Sequence, residues 1–303
     1  MLELTPNFSL IAQDEIVFLC DEPLATMYKL SPCVWQEDWR FHLLLRVVNY
    51  SDNPAEKVAR IHYGISTDGL HFTLEERPVI PPGPDPGAFD NGGCEDPTLA
   101  YLDGAYYVYY SGWNERAKRG EMLLASGPGI HELQKKGIAL PSSERAANPK
   151  EATIVRVADG TWRLFFEYAQ DNKSKIGLAR SSSVSGPWEV LDPLFEARPQ
   201  TWDSWHLSTG PILDSDPQHP VMFYNGATQD AHWRIGWVVF NADYTQVLAR
   251  SEDPLVLPHI KRRADDTDIA FAASALEIDG DIHLYYSVAD QYCVRAIIRN
   301  ASR

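Results

Sequence analysis

The chain has 303 residues, a formal net charge of −15, 44% hydrophobic and 23% charged residues. That length admits one large β domain or two smaller ones, and the acidic balance argues against a nucleic-acid or anionic-membrane partner, because binding phosphates needs clustered Lys and Arg. Cys20, Cys33, Cys94 and Cys293 lack CxxC or metal-ligand spacing, MLELTPNFSLIAQDE lacks a signal sequence, and no apolar run could span a bilayer; the expectation is a cytoplasmic protein with free thiols and neither metal nor cofactor.

In chain order, SPCVWQEDWRFHLLLRVVN (31–49) is followed by a second predicted hairpin, ARIHYGISTDGLHFT (59–73). From Asp96 the chain reads DPTLAYLDGAYYVYYSGW, and HELQKK near residue 131 is at best one turn of helix. Three further stretches repeat that form: EATIVRVADGTWRLFFEYA from Glu151, GPILDSDPQHPVMFYNGA from Gly210 and AASALEIDGDIHLYYSVAD from Ala272. Each has an apolar run, a turn, and a strand carrying paired aromatics: Tyr109-Tyr110, Phe165-Phe166, Phe223-Tyr224 and Tyr285-Tyr286. Three of the four turns are Asp-Gly, a strong hairpin signal between alternating apolar residues. Second hairpins at 174–190 and 233–249 match the one at 59–73.

Starts at 96, 151, 210 and 272 lie 55, 59 and 62 residues apart. Two hairpins per unit make a four-stranded sheet, and five units span the chain. This predicts an all-β fold, a five-bladed β-propeller forming a single domain over 1–303; a two-domain β-sandwich is the alternative. In a propeller, ligands bind where the innermost strands begin and end. Asp96, Glu151 and the Asp203–His206 region fall at corresponding repeat positions, while Asn49, Trp113, Glu167, Asn225 and Asp290 stand at the ends of the aromatic strands. A ring of carboxylates, amides and Trp favours a polar ligand. The acidic run Asp265, Asp266 and Asp268 reads as a solvated loop.

GCEDPTLAYLDGAYYVYYS resembles the Glu-Asp-Pro-Arg motif of glycoside hydrolase family 130, which comprises mannoside phosphorylases and β-mannosidases on five-bladed propellers. RVVN (46–49), HYGISTDGLHF (62–72), WHLSTGPI (205–212), the stretch 223–258 and the stretch 272–290 resemble successive parts of that family in order. The resemblance implies that phosphate, in the phosphorylases, is held by basic side chains. Here the expected arginine after Glu-Asp-Pro is Thr98, the Arg-Asn-Lys-Asp segment corresponds to Asn148-Pro149-Lys150-Glu151, a further arginine corresponds to Glu167 and the histidine of Tyr-His-Gly to Asn225. With Lys150 the one basic residue kept, the sequence favours water over phosphate as nucleophile.

The expected activity is therefore inverting hydrolysis of β-mannosides, β-1,2-linked or manno-oligosaccharides, by an acid and a base far enough apart to admit water. Asp96 is the candidate acid, acting directly or through a sugar hydroxyl as the resemblance implies; its alternative is a turn cap before Pro97. Glu95 should point away into its sheet. Glu167 and Glu151 are equal candidates for the base, set against a strand-end ion pair and a surface residue. Asn49, Arg60, Lys150, His206, Asn225 and Asp290 are candidate sugar ligands, and Trp113, Trp205 and Trp233 candidate stacking platforms, although each Trp could equally pack a core. Alternatives are a phosphorylase with its anion site rebuilt from Lys150, Arg116 or Arg119, an arabinanase or xylosidase type of propeller, and a non-catalytic sugar binder. The expected partner is a small oligosaccharide, with the oligomeric state open.

Overall fold

The computed structural model describes residues 5–258 and 266–301, so Asp265 of the acidic run lies outside the described residues, while Asp268 pairs with Arg234 at 2.6 Å. The fold is all-β, with three short 3-10 turns among the described residues, one of them at Ile130–Glu132, overlapping HELQKK. The first large sheet carries Tyr28–Glu37, Arg40–Val48, Ala59–Ser66 and His71–Leu74 in sequential antiparallel order, and Val17–Leu19 adds in parallel at its edge. Gly93–Leu102, Ala105–Asn114, Arg119–Gly127 and Gln134–Leu140 form the second, and Ala147–Arg156, Trp162–Gln170, Lys173–Ser181 and Glu189–Leu191 the third. Two sheets of short strands follow, running from His206–Ser208 to Val247–Arg250. In the last sheet Ala270–Ile278, Asp281–Val288 and Tyr292–Asn300 are completed by the N-terminal strand Phe8–Glu15. That pairing of the two chain ends was not visible in the repeat, because Phe8–Glu15 belongs to no copy of it.

The paired aromatics have a packing reason. Successive side chains on a strand point to opposite faces, so each pair serves two neighbouring cores. Tyr110 packs with Leu44 and Tyr63 of the first sheet, whereas Tyr109 packs with Leu164 and Phe166 of the third. Phe165 faces Tyr224 and Phe240, and Tyr224's neighbour Phe223 faces Tyr286. Tyr285 then meets Leu43 and Phe72, bringing the last sheet against the first. All eight aromatics are at most 1% exposed. Five apolar clusters thus sit between consecutive strand groups and join them in a closed ring. Cys33, Cys94 and Cys293 are buried among these clusters, and all four cysteines are unpaired.

Candidate active site

The first strand of each of the first three large sheets carries a bulge at the same place. Ser31-Pro32, Asp96-Pro97 and Glu151-Ala152 each set two residues against one on the partner strand. The first residue of each pair is left-handed, with φ of 49°, 51° and 49° at Ser31, Asp96 and Glu151. Such a conformation is costly for a residue with a Cβ and is found where a structure re-aims a side chain. The residue before each bulge pairs across the sheet: Leu30 with Arg46, Glu95 with Ser111, Lys150 with Glu167. Ser208 pairs with Asn225 at the matching point of the short-stranded region, just before Thr209.

Beside these bulges lies a cavity of about 490 Å³ whose wall includes Arg46, Lys57, Lys150, Glu151, Glu167 and Asp290. Arg46 reaches Glu95 Oε1 at 2.8 Å and Asp96 Oδ1 at 3.1 Å. Burial opposes its charge, but Glu95 and Asp96 outweigh that and raise its pKa. Asp96 Oδ1 also accepts from Ser31 Oγ at 2.7 Å, while Oδ2 is buried and receives no bond from an N–H or hydroxyl donor. Burial would raise the pKa of Asp96, yet Arg46, Lys150 and Ser31 hold it below the ordinary value. Glu151 behaves oppositely: burial, then the Asp96 charge, push its pKa well up. Lys150 Nζ lies 3.4 Å from Glu167 Oε1, chiefly for which its pKa is raised. Ser174 Oγ donates to the same oxygen at 2.8 Å, leaving buried Glu167 Oε2 unpartnered. Desolvation by the cavity walls raises the pKa of Asp290, even though the residue itself is exposed at the rim. Trp233 adds an aromatic face to the wall.

A family profile described as beta-1,4-mannooligosaccharide phosphorylase matches residues 27–301, nearly the whole chain. The chain belongs to glycoside hydrolase family 130. The chain is 24% identical to a 1,2-beta-oligomannan phosphorylase of Thermoanaerobacter sp. (strain X514), across 85% of each sequence. In fold it is similar to the beta-1,2-mannobiose phosphorylase of Listeria innocua in complex with beta-1,2-mannobiose, with a TM-score of 0.76, 19% identity and coverage of 94% of this chain and 90% of that one. Another structure with a TM-score of 0.76, 22% identity and coverage of 91% and 85%, carries the description that the family of mannoside phosphorylases contains glycoside hydrolases that target beta-1,2 mannosidic linkages in Candida mannan.

Among the residues that the family resemblance singled out, the structure brings Asp96, Lys150, Glu151, Glu167 and Asp290 together. His206 stands one layer behind the wall, stacked on Trp233 with centroids 5.6 Å apart, its Nδ1 accepting from the Ser174 N–H. Asn225 is fully buried; its amide donates to Thr209 O and Ala272 O and accepts from the Ala272 N–H, so it ties two strand groups together and presents nothing to a ligand. Asn49 closes the loop at Glu56 and Val58, with Arg60 bonded to it at 3.4 Å. Trp113 donates to Glu115, and Trp205 lines a neighbouring pocket. None of Asn49, Arg60, Trp113, Trp205 or Asn225 lines the main cavity. Glu95 turns to Arg46 rather than into its sheet, and Arg119 pairs with Glu121. Asp203 is not the counterpart of Asp96 and Glu151; Thr209 holds that place, donating to the Glu151 carbonyl. Arg46, Ser31, Lys57 and Ser174 were missed. Counting back from each bulge rather than from the strand end would have found Arg46, since it occupies the register of Ser111 and Glu167.

Proposed function

We propose that this protein cleaves β-mannosides in the Arg46–Glu151–Glu167 cavity, by direct displacement with inversion, on a five-bladed propeller spanning 1–303 as one domain. The ring of five apolar clusters supports the propeller, with the two short-stranded sheets counted as one blade. Asp96, fixed by Arg46 and Ser31, protonates the leaving oxygen directly or through a sugar hydroxyl. Arg46, Lys150 and Asp290 bind hydroxyls or charge, and Trp233 supplies an apolar face.

Phosphate is the mannosyl acceptor that the relatives favour, since two curated proteins similar to this one are named as 1,2-beta-oligomannan phosphorylase and beta-1,2-mannobiose phosphorylase. The observation that carries this reading is the cation count on the wall: Arg46 and Lys57 join Lys150, the one residue kept basic among the positions that match the family's cations. One observation favours water instead. Arg46 is already bound to two carboxylates and Lys150 to Glu167, whose free Oε2 could take a proton from water.

Incubation with β-1,2-mannobiose in the presence and absence of inorganic phosphate tests both. Mannose 1-phosphate formed only with phosphate supports phosphorolysis. Free mannose at the same rate in both supports hydrolysis with Glu167 as base. No cleavage of any β-mannoside would overturn the proposal.

A further inference from the structure

Next to the main cavity lies a cleft of about 10 Å³, room for one water. It is lined by Ser31, Asp96, Glu151, Thr153 and Thr209. Asp96 and Glu151 reach it from equivalent bulges on adjacent sheets, both in the left-handed conformation. Glu151 lines the cavity and the cleft alike, whereas Asp96 is 3% exposed and lines only the cleft. Asp96 Oδ1 is taken by Ser31 and Arg46, and its buried Oδ2 has no N–H or hydroxyl donor. The carboxyl that shares this cleft with Asp96 from the neighbouring sheet is that of Glu151. Two ionised carboxylates in contact would leave that oxygen unsatisfied and repel; one shared proton removes both problems.

We infer that Glu151 and Asp96 hold one proton between them, and that Glu151 is a positioning residue acting through Asp96 as its proton store. This rests on Asp96 being the acid. In the resting pair the proton is on Glu151 and donated to Asp96 Oδ2. It moves to Asp96, and from there to the leaving oxygen as that oxygen takes the electron pair of the breaking C–O bond. The pair then carries two negative charges, faced by Arg46 and Lys150, until product departure lets solvent return one proton. The raised pKa of Glu151 and the lowered pKa of Asp96 fit this division. The other charged groups facing the pair are Glu95, Glu167 and Asp290.

Glu151→Gln keeps a donor to Asp96 but removes the proton that can move. Without it, Asp96 must be protonated from solvent against the pull of Arg46. The expected result is a kcat profile displaced to acid by about one pH unit or more, with KM close to wild type and a melting temperature at or above it. The infrared band of a protonated carboxyl present in the wild type at neutral pH should vanish in this variant. An undisplaced profile, an equal loss at every pH, or no such band in the wild type would overturn the inference. Asp96→Asn separates the two levels: if it stays active, the acid assignment fails, whereas an inactive Asp96→Asn beside an undisplaced Glu151→Gln profile rejects the proton store alone.

Discussion

Two of the clusters of buried charge among the described residues are built on opposite principles. Around Asp203, one carboxylate is met by Arg198 at 2.9 Å and 3.2 Å, by Arg250, by Tyr224 Oη at 2.6 Å and by Thr201. Two cations answer one anion, both oxygens are bonded, and Asp203 is 0% exposed. Around Asp96, the carboxylates Glu95, Asp96, Glu151 and Glu167 crowd against Arg46 and Lys150, and buried Asp96 Oδ2, Glu167 Oε2 and Arg46 Nε lack partners. The first cluster is a finished clamp that ties Arg198 and Arg250 to one anchor. The second leaves charge and hydrogen-bonding capacity unspent, on bulges that hold two residues left-handed. A fold optimised for stability alone would not keep it. The contrast teaches how two buried carboxylates can differ: Asp203 has both oxygens bonded and anchors the scaffold, whereas Asp96 and Glu167 each keep one oxygen open at the site.

Removing each anchor is the strongest way to break that comparison. Asp203→Ala leaves two buried guanidinium groups without their anion and is expected to cost about 3–5 kcal/mol in urea unfolding, while kcat of the folded fraction is unchanged. A smaller cost, or a selective loss of kcat, would erase the distinction between the clusters.

The pH dependence of stability sharpens it further, with a smaller effect. Asp203 has its pKa lowered: burial opposes this, but Thr201, Tyr224 and Arg198 prevail. The unfolded chain therefore binds a proton that the folded one refuses, and this contribution is present above pH 3.8 and lost as pH falls below it. Glu151 is raised, first by burial, so the folded chain keeps a proton that the unfolded chain releases, and stability declines as pH rises above 4.5. Thermal melts against pH should show Glu151→Gln flattening the decline on the alkaline side by roughly 1 kcal/mol per unit of lost shift, leaving the acid side unchanged. An unaltered alkaline slope would contradict the protonated state of Glu151.

Much of the fold was legible because a strand packed on two neighbours needs large apolar residues on both faces, so Tyr109-Tyr110 and its counterparts recur in four units and Leu43-Leu44 takes their place in the first. Asp96, Glu151, Glu167 and Asp290 were legible from their places in the repeat, whereas Lys150 was singled out by the family resemblance. Asn49, Trp113 and Asn225 were drawn in by the same reasoning and stand off the cavity. The bulges explain Asn49 and Trp113: Arg46 and Ser111, not the strand-end residues, hold the inward register. Asn225 does hold that register, but its amide is consumed by backbone groups of Thr209 and Ala272. Arg46 was hidden in an apolar run, LLLRVV, where a cation reads as an edge residue until its two acidic partners are known.

The most direct test compares Asp96→Asn with wild type on β-1,2-mannobiose, with phosphate present, alongside thermal melting. Asn keeps the single oxygen, Oδ1, that accepts from both Ser31 and Arg46 and relieves one charge from a crowded group, so the fold should stand. The account predicts a fall in kcat of about 10²–10⁴-fold with a melting temperature at or above that of wild type. Undiminished turnover, or a loss explained by unfolding as at Asp203, would contradict it.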